Sequence, residues 1–154
     1  MNPSFDPARF LEAQAPVYDR VVQELSDGAK ASHWMWFVFP QLAALGRSQT
    51  ARFYGLADAC EAAAYAAHPV LGRRLRECAA LVLAVEGRSA HRIMGSPDDL
   101  KLRSCMTLFE AAVPGEALFA RLLDRFYEGE RDPLTLALLN APVDPNLSPA
   151  GPAS

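Results

Sequence analysis

From Trp34 to Phe39 the chain runs through six apolar residues, Trp-Met-Trp-Phe-Val-Phe, without a polar position among them. Such a run leaves no solvent face for either a helix or a strand, so it must be buried or must wall a pocket. Elsewhere apolar residues recur three and four apart, the period of helices packed on one side. Phe10, Leu11 and Gln14 continue a short helix opened by Asp6-Pro7, an N-cap followed by proline at the first helical position. Pro16 restarts a second helix, with Val17, Val21 and Leu25 inward and Asp27-Gly28 at its end. The aromatic run is too short for its period to separate helix from strand. Its helical surroundings favour a helix, and Pro40 stops it either way.

Leu45-Gly46-Arg47-Ser48 reads as a turn, with Ser48 capping a helix that carries Phe53, Leu56, Cys60 and Ala64 inward and bends or divides at Gly55. His68-Pro69 starts the clearest helix, on which Leu71, Leu75, Cys78, Val82 and Val85 form one stripe before Gly87 closes it. Ser89 caps a short turn to Met94. Ser96-Pro97-Asp98-Asp99 then predicts a cap, a first-position proline and carboxylates in the first turn of a helix that aligns Leu102, Cys105 and Phe109. After the Pro114-Gly115 loop, Phe119, Leu122, Leu123 and Phe126 predict a helix ending near Glu128-Gly129, and Asp132-Pro133 opens a last one through Leu139. Pro142, Pro145, Pro149 and Pro152 exclude regular structure beyond Asn140, which predicts an extended, mobile tail over 141–154. The expectation is an all-α protein, with residues 1–140 forming one compact domain of seven or eight mostly short helices.

Composition narrows the function without choosing it. The 154 residues are 51% hydrophobic and 21% charged, as in a packed globule, and the formal charge of −3 gives no electrostatic signal for nucleic acid. No stretch approaches the roughly twenty apolar residues of a membrane span, and the early Asp6, Arg9 and Glu12 do not fit a secretion signal. Cys60, Cys78 and Cys105 are odd in number and form no Cys-x-x-Cys pair, which reads as reduced core thiols in a cytoplasmic protein. Phosphate-loop, dinucleotide, zinc-protease and nucleophile-elbow signatures are absent, and the three histidines lack metal-ligand spacing. No cofactor or metal is therefore implied.

Three groups of residues can carry chemistry. Lys30, His33, Trp34, Trp36 and Gln41 combine flat stacking surfaces, a group that titrates near neutrality and a cation suited to phosphate. They also serve as core and capping groups. Gly46, Arg47 and Ser48 place a guanidinium at a helix start, where free backbone amides attract anions, and His68 occupies a similar position. An ordinary cap is the alternative for both. Asp98, Lys101 and Ser104 lie three apart, so they stand together on one helix face, near Asp99, Arg103 and Thr107. That group is either a capped helix with an ion pair or a carboxylate, cation and hydroxyl set for acid–base work at a sugar or phosphate.

Four strings carry a family resemblance: Gly28–Gln41 (GAKASHWMWFVFPQ), Leu45–Ser48, Ala64–Leu75 (AYAAHPVLGRRL) and Gly95–Phe109 (GSPDDLKLRSCMTLF). Together they closely resemble a bacterial domain-of-unknown-function family, over roughly residues 6–139, some of whose members carry the label calpastatin. The resemblance implies a compact, mainly α-helical fold. Calpastatin-type inhibitor segments are flexible and polar, unlike this composition. Ala44 stands where that family commonly has glycine, and Cys105 where it usually has serine, which argues against a required thiol there. The size and helical build are also similar, more distantly, to NADAR domains, which act on ADP-ribose derivatives and N-glycosidic bonds.

Two functions stay open. The first is a small hydrolase or N-glycosidase on an ADP-ribose-like or nucleotide-derived substrate. His33, Asp98 and Lys101 would be its catalytic groups, and Lys30, Trp34, Trp36, Gln41, Arg47, Ser48, His68 and Ser104 would hold the ligand. The second is a non-catalytic helical module that docks a protein partner. Whether Lys30–Gln41 meets Gly95–Thr107 in space separates them, and the oligomeric state is left open.

Overall fold

In the computed structural model, which describes residues 5–140, ten α-helices account for the regular structure: α1 (Ala8–Gln14), α2 (Tyr18–Ser26), α3 (Met35–Val38), α4 (Gln49–Phe53), α5 (Ala59–Ala67), α6 (Leu71–Ala84), α7 (Ala90–Met94), α8 (Asp98–Ala112), α9 (Ala117–Tyr127) and α10 (Pro133–Asn140). No strand occurs among the described residues; Leu42 and Leu56 form one isolated bridge. The all-α expectation holds, and the proline-rich tail expected over 141–154 lies outside the described residues. The helix count exceeds seven or eight because the Ser89–Met94 turn completes a helical turn of its own. The helix expected from Ser48 also divides in two.

Helix α8 is the axis of the molecule. Its residues Leu102 and Ser104–Phe109 are buried on every side, because α5, α7, α9 and α10 all pack on it. The long α6 forms the second layer, facing α2, α5 and α9 through Leu71, Leu75, Cys78 and Val82. Between the layers runs an aromatic chain in which Phe10 meets Tyr65 edge-on at 5.0 Å, Tyr65 meets Phe109 at 5.6 Å, and Phe109 meets Phe119 at 5.8 Å. Gln14 is buried among these rings and fully engaged. Its Nε2 donates to the Phe37 carbonyl (2.6 Å) and to Tyr65 Oη (3.0 Å), and its Oε1 accepts from Arg74 (3.2 Å). These bonds fix the aromatic run onto α1 and α5.

Several local expectations need correction. Ser96 does not cap α8; no side chain does, and the Asp99 amide donates to the Gly95 carbonyl instead. Helix α4 stops at Phe53, so Phe53 is exposed rather than inward, and Asp58 recaps the chain with its carboxylate on the Glu61 amide (2.9 Å). Cys60 then falls on the outer face of α5 and is exposed, whereas Cys78 and Cys105 are buried as expected.

Gly55 causes that division. The segment after α4 runs against the turn at Ala43, where Leu56 donates to the Gln41 carbonyl (2.9 Å) and Ala43 to the Leu56 carbonyl (2.8 Å). A Cβ on residue 55 would lie 2.3 Å from Ala43 Cα and 2.8 Å from its nitrogen, so the two backbones could not approach. Gly55→Ala is therefore expected to lower stability by about 2 kcal/mol or more through overpacking. Gly87→Ala, with a φ of +76° and nothing near its Cβ, should cost only about 1 kcal/mol. Urea unfolding midpoints of the two variants check the difference; equal shifts would contradict it.

Candidate functional site

The site begins at the end of α2. Gly28, at φ +70°, turns the chain so that Ala29–Trp34 folds back over Glu24. Glu24 is buried, and its carboxylate gathers this segment. Oε1 accepts from the Ala31 amide (2.9 Å), the Ser32 amide (3.1 Å) and Trp34 Nε1 (2.8 Å), while Oε2 accepts from Ser32 Oγ (2.6 Å). The Lys30 amide donates to the Ile93 carbonyl (2.7 Å), tying the same segment to α7. The Lys30 side chain then crosses to α8. Its Nζ lies 2.8 Å from Asp98 Oδ2 and 2.7 Å from the Ser32 carbonyl, and 4.9 Å from the Trp34 ring centroid. Only 6% of the Lys30 side chain is exposed, so it pins the two segments together.

Lys30–Gln41 and Gly95–Thr107 therefore meet, and two cavities open at their junction. The smaller, of about 390 Å³, is walled by Lys30, His33, Trp36, Ser96, Asp98 and Lys101. The larger is a groove of about 650 Å³ lined by Gln41, Arg47, Ser48, Lys101, Arg103, Ser104 and Asp132, with Leu45, Leu100 and Leu134 as apolar neighbours. Lys101 belongs to both. Its ammonium lies 5.6 Å from the centroid of the half-buried Trp36 ring, and no carboxylate among the described residues pairs with it. Both volumes fall within the range of small-molecule sites. A depression of about 690 Å³ between α6 and α9 is comparable in size but has no aromatic wall; it is lined by Ala80, Leu83, Ala84, Glu86, Arg121, Asp124 and Arg125, the last of which donates to the Leu83 and Val85 carbonyls.

The floor of the groove is a buried polar network. Asp132 Oδ2 accepts from Ser104 Oγ (3.1 Å), the Thr135 amide (3.0 Å) and Thr135 Oγ1 (2.5 Å), and the Asp132 amide donates to Thr107 Oγ1 (3.0 Å). Arg103 approaches Asp132 Oδ1 at 3.6 Å, and its buried Nε has no partner. This network ties α10 to α8.

The residues singled out from sequence therefore divide. His33, Trp36, Asp98 and Lys101 share the smaller cavity; Gln41, Arg47, Ser48, Lys101 and Ser104 share the groove. Asp98, Lys101 and Ser104 do follow one another along α8, with Lys101 between the two cavities. Trp34 lines neither, being 1% exposed in the core with its indole on Glu24. Ser48 Oγ accepts from the Ala51 amide (3.0 Å) as a cap, and α4 is only five residues long, so the groove's positive charge comes from Arg47 rather than from helix amides. His68 lies apart at the start of α6, where its Nδ1 accepts from the Val70 and Leu71 amides (3.1 and 3.2 Å). Arg103, grouped in sequence with Asp98, Lys101 and Ser104, lines the groove as well, whereas Glu24 and Asp132 were not singled out. Glu24 carried a readable signal: it stands three residues after Val21, a carboxylate on an apolar stripe.

A family model described as a protein of unknown function, DUF1810, matches residues 4–139. The chain belongs to the DUF1810 family. It is also similar to the conserved hypothetical protein Rv1873 from Mycobacterium tuberculosis, whose crystal structure at 1.38 Å shares 53% sequence identity. That alignment covers 90% of this chain and 99% of the other, with a TM-score of 0.88. Among curated proteins none matches.

In this DUF1810 chain burial pushes the Cys78 thiol up to about 12, and Cys105 well above its usual range, so neither is a thiolate nucleophile. Among the described residues no cluster of His, Cys, Asp or Glu is placed to hold a metal, and no helix is long and apolar enough to cross a membrane. Burial alone would raise the Glu24 carboxyl, but the bonds from Ser32, Ala31 and Trp34 outweigh it and hold the group at about 2. Its folded pKa is thus below the unfolded one, so its stabilisation is complete above about pH 4.5 and fades as pH falls towards 2. Glu24→Gln is expected to lose about 2 kcal/mol at pH 7 and to flatten the stability profile between pH 5 and 2. Chemical denaturation across that range measures both; an unchanged slope would contradict the assignment.

Proposed function

We propose that the protein binds a small phosphorylated, nucleotide-like ligand across the two cavities and hydrolyses an N-glycosidic bond in it. The observation that carries this reading is Lys101, an unpaired ammonium beside an indole, shared by a cavity holding Asp98 and His33 and a groove holding Arg47 and Arg103. Arg47 and Lys101 are both free of ion pairs among the described residues, so the groove has positive charge available for phosphate. Trp36 offers the half-buried flat wall that a sugar or base needs.

On this reading the phosphate rests in the groove and the glycosidic carbon enters the smaller cavity. Lys30 engages Asp98 Oδ2 and fixes the carboxylate, leaving Oδ1 to face the developing positive charge at the sugar carbon and to orient a water. That water adds its hydroxyl to the carbon as the carbon–nitrogen bond breaks, and the departing base takes a proton. His33, exposed at the same cavity, supplies that proton and recovers one from the water. Lys30 has a structural part only, since its ammonium is already fully engaged.

Titration calorimetry with ADP-ribose and NAD, together with chromatographic detection of nicotinamide released from NAD and of guanosine released from ADP-ribosylated guanosine, tests both halves. Lys101→Ala and Arg47→Ala are expected to weaken binding about tenfold each. Asp98→Asn should keep most of the affinity and lower turnover by about a hundredfold. No binding at millimolar ligand contradicts the site. Binding without release of base would leave a non-catalytic binding module in place of the enzyme.

A further inference from the structure

Two leucines flank the groove and face solvent. Leu100 on α8 is 53% exposed and Leu134 on α10 is 64% exposed, and both line the groove that holds Arg47, Lys101 and Arg103. The segments that carry them are linked through the Ser104 hydroxyl and the Asp132 carboxylate. Ser104 Oγ lies on the Leu100 carbonyl (3.2 Å) and on Asp132 Oδ2 (3.1 Å), and that oxygen also fixes Thr135, the residue after Leu134. The backbones on either side of the groove are thus joined through its floor, which places both leucines on one rim.

The charges along the groove are spread as well. Arg47 comes from the turn before α4, and Lys101 and Arg103 from α8; buried Asp132 offsets one of the three, leaving two in surplus. Two separated positive charges between an apolar rim and a cavity with an acid–base pair match a ligand of three parts: a flat apolar group, two linked phosphates and a sugar. We propose that Leu100 and Leu134 are specificity-determining residues that clamp the base of a nucleoside-diphosphate-linked sugar. The diphosphate then lies on Arg47, Lys101 and Arg103, and the distal sugar reaches Asp98. This inference rests on the ligand site proposed above and adds to it the class of molecule, since a sugar monophosphate would engage the cations and leave the leucines uncovered.

Calorimetry with ADP-ribose and with ribose 5-phosphate separates the two claims. The unaltered protein is expected to bind ADP-ribose at least about tenfold more tightly than ribose 5-phosphate. Leu134→Ser, and independently Leu100→Ser, should remove most of that preference by weakening ADP-ribose about tenfold while ribose 5-phosphate changes less than about twofold. Leu136→Ser, on the same helix but outside the groove, is the control and should change neither; circular dichroism verifies that all three variants are folded. Equal affinities for the two ligands, or an undiminished preference in both groove variants, would overturn the clamp while leaving the anion site standing. Binding of neither ligand would overturn the site itself.

Discussion

One carboxylate organises the end of this molecule that carries the two cavities. Glu24 leaves water, a position that ordinarily disfavours charge, and is stabilised there by two backbone amides, a hydroxyl and an indole N–H. The four donors come from Ala31, Ser32 and Trp34, so one side chain determines the path of the loop leading into the aromatic run. That path delivers Lys30 to Asp98 and turns Trp36 outward while Trp34 turns in. The carboxylate fixes the loop from its own side, and the Lys30–Asp98 pair and the Lys30 amide on Ile93 fasten it to α8 and α7.

The two lysines of the chain illustrate how the same charge takes opposite parts. Lys30 is surrounded by a carboxylate, a carbonyl and an indole face, and works as a cross-brace. Lys101, one helical turn beyond Asp98, faces the other indole and two open cavities with no carboxylate partner among the described residues. A buried, paired cation stabilises architecture, whereas an accessible unpaired one beside an aromatic wall is available to an anion. The Ser104–Asp132–Thr135 network does for the groove what Glu24 does for the loop, fixing α10 against α8 from beneath.

Local chemistry was legible in the sequence, and long-range chemistry was not. Ser48 and Ser89 cap the helices they were expected to cap, and the stripe from Leu71 to Val82 is buried as its period requires, because caps and amphipathic faces depend on residues a turn apart. Gly55 shows the limit. Its signal was an ambiguity between bending and breaking, resolved only by the close approach of Ala43. Phe53 and Cys60 were misplaced as a result. Ser96 looked like a cap by composition, yet its side chain does not serve α8. In the site, Trp36, Gln41, Arg47, Asp98, Lys101 and Ser104 were recognisable as residue types that suit a ligand, and they line two cavities that share Lys101. Trp34 and His68 are of the same types, but one is buried on Glu24 and the other caps α6. The partner pairs Glu24–Ser32, Lys30–Asp98 and Ser104–Asp132 span 8, 68 and 28 residues, and no periodicity reports contacts of that kind.

The division of labour between the two indoles gives the most direct test. The chain has two tryptophans, so a nitrogen-15 correlation spectrum carries two indole N–H signals, one held on Glu24 and one beside Lys101. Titration with ADP-ribose is expected to shift the Trp36 indole signal progressively and to leave the Trp34 signal in place. Movement of Trp34 instead, or no movement of either at millimolar ligand, would contradict the account.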